Sequence, residues 1–208
     1  LVSGRNHLKL TFISPIPFMK KRDSERRLHA WNLYHEDFLG KSYVRKMACA
    51  FGWDWGLIAP TAGIWRPVYL IGMEARISHV KIRQEHGRDG PVKLHCRTRI
   101  DGTGQIRHRL SRDGKTVVES APAAEDSAVL SVPDPALWWP NGMGGQPLYT
   151  LETELLDAEG IVLDTRRLQL GLRTCELVRE KDEYGESFRF RVNGRDTFMK
   201  GGNWIPRP

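Results

Sequence analysis

The sequence predicts a mainly all-β fold, and three observations carry that reading. Apolar and polar residues alternate with period two in several separate runs, the pattern of strands with one buried face. Turn signals fall between those runs: Asp101-Gly102, Asp113-Gly114, Asp157-Ala158-Glu159-Gly160 and Asn193-Gly194. From Glu74 onward the runs are short and closely spaced, as in a β-sandwich of about 100 residues.

Taken in order, His7 to Ile13 sets Leu8, Leu10 and Phe12 against His7, Lys9 and Thr11 and reads as a half-buried strand. Ser14-Pro15-Ile16-Pro17 ends it, because proline cannot continue a ladder. Between Lys20 and Leu39, the residues Leu28, Trp31, Tyr34 and Phe38 recur at helical spacing and predict a short surface helix or ordered loop, broken at Gly40. Tyr43 to Ala50 reads as a strand or extended approach, and Trp65 to Ile71 as a buried strand. Ile77, Val80 and Ile82 begin the sandwich. Val92, Leu94, Cys96, Thr98 and Ile100 then alternate with Lys93, His95, Arg97 and Arg99. Val129 to Val132, Tyr149 to Leu155 and Ile161 to Leu172 are further strands, with the turn-rich segment Pro133 to Gly145 among them. Phe188, Phe190 and Val192 lead through Asn193-Gly194 into Thr197 to Lys200, a hairpin with the strongest short turn signal.

Composition narrows the function. With 208 residues, 40% apolar and 27% charged, the chain can bury one large core or two small ones. It has no run of about 18 apolar residues, so no transmembrane helix or membrane partner is expected. No signal peptide is visible at its start. The three cysteines, Cys49, Cys96 and Cys175, are far apart and form no CxxC pair, which argues against a disulfide framework or zinc site. Together with the lack of Asn-X-Ser/Thr acceptors, this leans towards a reducing, cytoplasmic location. The net charge of +7 raises nucleic acid as a partner. However, Arg97, Arg99, Arg107 and Arg109 alternate along strands as on a solvated sheet face, and Lys20-Lys21-Arg22 with Arg26-Arg27 is interrupted by Asp23 and Glu25. No nucleic-acid binding is therefore predicted. His95, on an alternating strand, reads as a surface residue. The seven histidines show no HxH or HExxH spacing, and no P-loop, dinucleotide fingerprint or nucleophile elbow is present, so neither metal nor cofactor is predicted.

One stretch stands out. Phe51-Gly52-Trp53-Asp54-Trp55-Gly56 places a carboxylate between two indoles with glycines on either side, and Gly63-Ile64-Trp65-Arg66-Pro67-Val68 follows. Indole faces stack on the apolar faces of sugar rings, and a carboxylate between them accepts hydrogen bonds from hydroxyls. The plain alternative is two core tryptophans beside a capped turn.

These segments resemble the β-mannosidases, in the glycoside hydrolase clan that also holds β-galactosidase and β-glucuronidase. The likeness continues through Arg45-Lys46, Leu137-Trp138-Trp139-Pro140-Asn141-Gly142, Gly171-Leu172-Arg173-Thr174, Phe190-Arg191-Val192-Asn193-Gly194 and Gly202-Asn203-Trp204-Ile205-Pro206. The resemblance implies a partial jelly roll over residues 1–72, an immunoglobulin-like β-sandwich over 73–174, and the first strand and hairpin of a (β/α)8 barrel over 175–208. It implies an internal segment of a retaining hydrolase of terminal β-mannosides. Asp54 would accept hydrogen bonds from the sugar, Trp53 and Trp55 would wall the subsite, and Asn203 and Trp204 would stand at the end of the first barrel strand. Trp65 and Arg66 would be structural, and Trp138 and Trp139 would pack in the sandwich core or between domains. The catalytic glutamates of the family lie on later barrel strands, so no catalytic residue is expected in this chain. The implied partners are a β-mannoside substrate and the remainder of the barrel, and a homodimer is compatible with them. A non-catalytic carbohydrate-binding or scaffold module is the alternative.

Overall fold

The computed structural model describes residues 4–29, 36–54, 56–87 and 90–204. Two compact units emerge: Leu1–Leu70 with Gly201–Pro208, and Ile71–Lys200.

The first unit is built around helix α1, Pro15–Glu25. Its start is written in Ser14-Pro15. The Ser14 hydroxyl accepts from the Ile16 N–H at 3.3 Å, and proline at the first turn has no N–H to leave unpaired. Met19 on α1 packs with Phe38, from the 3-10 segment Glu36–Tyr43, and with Phe51. A second 3-10 turn, Ala48–Ala50, leads into strands β1 (Phe51–Trp53) and β2 (Gly56–Ile58), which pair antiparallel.

This unit departs from the sequence reading in four places. The Ser-Pro-Ile-Pro run opens a helix instead of merely ending a strand. The helix expected between Lys20 and Leu39 lies earlier in the chain, and Trp31 and Tyr34 fall outside the described residues. Tyr43 to Ala50 turns in 3-10 geometry and is not a strand. Residues 7–13 and 65–71 form no strand and are exposed, with Leu8 79% and Trp65 81% accessible. The physical reason is the same for both segments: a strand exists only by pairing, and these apolar runs find no partner strand among the described residues.

The second unit matches its sequence pattern closely. Strands β3 (Arg76–His86), β4 (Val92–Asp101), β5 (Gln105–Arg112), β6 (Lys115–Glu119), β7 (Ser127–Val132), β8 (Tyr149–Leu156) and β9 (Val162–Leu170) sort into two sheets. One is three-stranded in the order β3-β4-β7, the other four-stranded in the order β6-β5-β8-β9. This is an immunoglobulin-like sandwich. Asp113 and Gly114 both take positive φ, 51° and 76°, as the tight turn between β5 and β6 requires. Inward residues of both sheets, Leu94, Cys96, Leu110, Leu130, Tyr149 and Leu151, form the main core. Three further strands, β10 (Cys175–Val178), β11 (Arg189–Val192) and β12 (Arg195–Thr197), make a small antiparallel sheet, turned at Asn193 (φ 48°) and Gly194 (φ 78°).

Arg107 and Arg109 lie on a solvated sheet face, as their alternation predicted. Arg107 pairs with Glu154 at 2.6 Å, Arg109 with Glu119 at 3.1 Å and Glu152 at 3.4 Å, and Arg167 with Glu152. The strand parity that turns them outward turns His108 inward. His108 is 1% exposed, with Nδ1 2.9 Å from the Thr153 hydroxyl and Nε2 3.5 Å from that of Thr98 on the opposite sheet. Burial pushes its pKa below the ordinary histidine value. The unfolded chain therefore takes up this proton first. Stability should be full above pH ~6.5 and fall on acidification by up to ~1.4 kcal/mol per pH unit, until the folded-state pKa is passed. Urea titrations at a series of pH values should show this slope largely removed by His108→Gln. A residue should remain from His86, whose pKa burial also lowers.

Candidate functional site

Within the first unit the indole-flanked carboxylate stands on a short hairpin. Phe51 faces Ile58 and Trp53 faces Gly56, which leaves Asp54 at the tip. The base is fixed in two ways. Phe51 is buried against Met19 and tilts over Phe38, with ring centroids 5.5 Å apart. The Ala59 N–H donates to the Ala50 carbonyl at 3.0 Å and prolongs the ladder. Gly52, buried at φ 113°, holds a conformation that side chains rarely adopt, so its place in the motif follows from the backbone. Trp53 is half-buried and Asp54 is exposed. Trp55 lies outside the described residues. A carboxylate displayed on a short anchored turn beside an indole can accept hydrogen bonds from a hydroxylated ligand while the ring covers an apolar face.

Asn203 and Trp204 follow Gly201-Gly202 in a segment without regular structure, and Trp204 is 86% exposed. They are joined in sequence to the β10–β12 sheet, yet residues 201–204 fall in the unit that contains Asp54. Thus Trp53, Asp54, Asn203 and Trp204 belong to one compact body. Trp65, exposed in the same unit, lies under the Arg66 guanidinium at 4.2 Å. Among the described residues no group of three or more His, Cys, Asp or Glu could hold a metal ion.

The other motifs converge in the second unit, at the junction of the sandwich with β10–β12. Leu137 bridges Leu172, and the Trp138 N–H donates to the Leu172 carbonyl at 2.9 Å. Arg173 lies over the Trp138 ring at 4.5 Å and Arg195 over Trp139 at 5.6 Å. The Asn193 side chain donates to the Trp138 carbonyl and accepts from the Thr174 N–H, each at 2.9 Å. Trp138 and Trp139 are therefore half-buried clamps on the hairpin and not central core residues. Gly171 and Gly144 sit against them so closely that a Cβ would lie 2.8 Å from either ring. Asn193 was legible only as a turn residue; its cross-links join residues 55 and 19 positions apart, beyond any local pattern.

Comparison with known proteins fits both units. A family model described as "Glycosyl hydrolase 2 galactose-binding domain-like" matches residues 1–66, and one described as "Glycosyl hydrolases family 2" matches residues 75–173. The chain belongs to glycosyl hydrolase family 2. Within that family it is β-mannosidase-like. It is 33% identical to β-mannosidase B of Aspergillus flavus over 197 residues, covering 90% of this chain and 23% of that protein. It is 31% identical to β-mannosidase B of Emericella nidulans over an alignment of 215 residues, covering 99% of this chain and 25% of that protein. The chain thus spans about a quarter of the length of these curated relatives. Among solved structures, the apo β-glucuronidase of Ruminococcus gnavus matches with a TM-score of 0.50 at 22% identity, over 62% of this chain and 20% of that one. The same enzyme with uronic deoxynojirimycin gives a TM-score of 0.51 at 22% identity over the same shares. That likeness is one of fold.

Proposed function

We propose that this chain is an internal segment of a retaining β-mannosidase that hydrolyses terminal non-reducing β-D-mannose residues, and that it supplies part of the sugar subsite and none of the catalytic carboxylates. Residues 1–72 close a jelly roll, residues 73–174 are the sandwich, and residues 175–208 enter a (β/α)8 barrel. Asp54 accepts hydrogen bonds from sugar hydroxyls, with Trp53 and Trp55 as walls. Asn203 and Trp204 stand at the carboxyl end of the first barrel strand, where barrel enzymes build their sites. The acid/base and nucleophilic glutamates, about 5 Å apart in a retaining enzyme, come from later barrel strands.

The observation that carries this reading is the 33% identity to a β-mannosidase B across 90% of the chain. Two features add support. Asp54 is exposed at a hairpin tip, as a ligand contact must be. The strand-patterned segments 7–13 and 65–71 expose apolar side chains that further strands would cover. The test is turnover of a panel of nitrophenyl glycosides by the complete polypeptide. The β-D-mannoside should be the fastest substrate. Faster hydrolysis of the β-D-glucuronide or β-D-galactoside would contradict the assignment. Mannoside binding without any turnover would favour the non-catalytic module.

A further inference from the structure

The two outer faces of the sandwich carry similar arginine-rich strands and treat them differently. On the four-stranded sheet, Arg107, Arg109 and Arg167 are matched by Glu119, Glu152 and Glu154. On the three-stranded sheet, strand parity turns His79, Lys81, Arg83 and Glu85 of β3 outward, in register with Arg99, Arg97, His95 and Lys93 of β4. Lys81 therefore stands directly opposite Arg97, and His79 opposite Arg99. Like charges in direct cross-strand register destabilise a sheet unless an anion lies between them. The carboxylates on this face are too few: Glu85 serves His95 at 2.8 Å, Lys93 at 3.8 Å and Arg83 at 3.9 Å, and Asp126 serves Arg97 at 3.3 Å. Among the described residues, no carboxylate lies within ion-pair distance of Lys81 or Arg99. The face is also not flat. Two adjoining clefts of about 500 and 820 Å³ share Lys81 and Arg97 as common walls.

We propose that this cationic groove on β3-β4-β7 is a docking surface for a separate acidic polypeptide segment, one that runs extended across Lys81 and Arg97 and places carboxylates between them. Two observations favour a peptide over a nucleic acid. The clefts are lined by no Phe, Tyr or Trp, the large aromatic faces that single-stranded nucleic-acid grooves offer to bases. On β7 a 58%-exposed Val129 stands opposite His95 and Ser127 stands opposite Arg97, so one aliphatic side chain lies among the cations, which suits a segment carrying both acidic and aliphatic side chains. Glu85 and Asp126 already show that carboxylates fit these cationic heads at ion-pair distance. The proposal is independent of the sugar site.

The test uses the full chain and a fluorescent alternating Glu-Val dodecapeptide, with a Gln-Val peptide and a DNA duplex of equal charge as comparators, read by anisotropy at low salt. The Glu-Val peptide should bind more tightly than either comparator. The double variant Lys81→Glu/Arg97→Glu should weaken its binding by about tenfold or more, whereas Lys115→Glu/Lys181→Glu, the same change in net charge elsewhere, should alter it less than about twofold. Equal losses in the two variants would show attraction to net charge alone and overturn the proposal. Tighter binding of the duplex would replace it with nucleic-acid binding. A reading free of any folding effect comes from the unmutated chain: carbodiimide should join peptide carboxylates to Lys81 and Lys93, and cross-links confined to other lysines would also overturn it.

Discussion

Replacing Asp54 with alanine in the complete enzyme should lower kcat/KM on β-mannosides by about 10- to 100-fold for each sugar hydrogen bond lost, since a bond to a charged acceptor contributes roughly 1.5–3 kcal/mol. The side chain is exposed at the tip of the β1–β2 hairpin, while the packing of that hairpin is carried by Phe51 against Met19 and Phe38. The thermal midpoint should therefore stay within the small range typical of surface changes. Asp54→Asn keeps the shape and one acceptor oxygen and should retain more activity than Asp54→Ala. Steady-state kinetics with a nitrophenyl mannoside, beside a melting curve for each variant, checks both statements. Equal loss of activity and stability would mean that the residue supports the hairpin and does not meet the sugar.

Gly40→Ala should strongly destabilise the first unit. A Cβ at this position would lie 2.2 Å from the Met19 carbonyl oxygen and 2.7 Å from its carbonyl carbon. Both are backbone atoms in the middle of α1, so no side-chain rotation relieves the clash and the helix itself must move. Met19 is fully buried and forms one cluster with Phe38 and Phe51. Displacing it should cost about 1–3 kcal/mol or more, as overpacking of a core does. Hydrogen exchange of the full chain should become faster in α1 and in β1–β2 together. Gly63→Ala is the control, because nothing lies within 4 Å of its Cβ position. If Gly40→Ala leaves both segments as protected as Gly63→Ala does, α1 does not anchor the hairpin.

What could be read from the sequence depended on where each element finds its partner. The sandwich was legible because its information is local. Alternation sets which side chains face inward, and Asp113-Gly114 and Asn193-Gly194 turn the chain with the positive φ angles that such pairs favour. The parity that places Arg107 and Arg109 outward also placed His108 in the core, so that buried imidazole was within reach of the same reasoning. His95 is half-buried and holds Glu85, as expected of a residue near the surface. The first unit was harder. Residues 7–13 and 65–71 carry strand patterns, but a pattern states only which face could be buried, and pairing needs another chain segment. Ser14-Pro15 holds both a strand-stop and a helix-start signal, and the cap decided between them. Gly40 looked like a helix breaker, and Gly171 was simply part of the run Ile161 to Leu172; their need for glycine comes from Met19 and Trp138, which no spacing rule connects to them. At the candidate site, the hairpin tip at Asp54 was legible from its glycines and aromatics. The grouping of residues 201–204 with the unit that holds this hairpin was expected only through the family resemblance, because it joins segments nearly 150 residues apart that no local pattern connects.

In the proposed function, the Asp54 carboxylate meets the non-reducing sugar. The most direct measurement is a crystal structure of the complete polypeptide with a mannose-derived inhibitor bound. An Asp54 carboxylate oxygen should lie within about 3.2 Å of a sugar hydroxyl, with the Trp53 ring beside the same sugar. A sugar bound with Asp54 turned to solvent and no hydroxyl within hydrogen-bonding distance would contradict it.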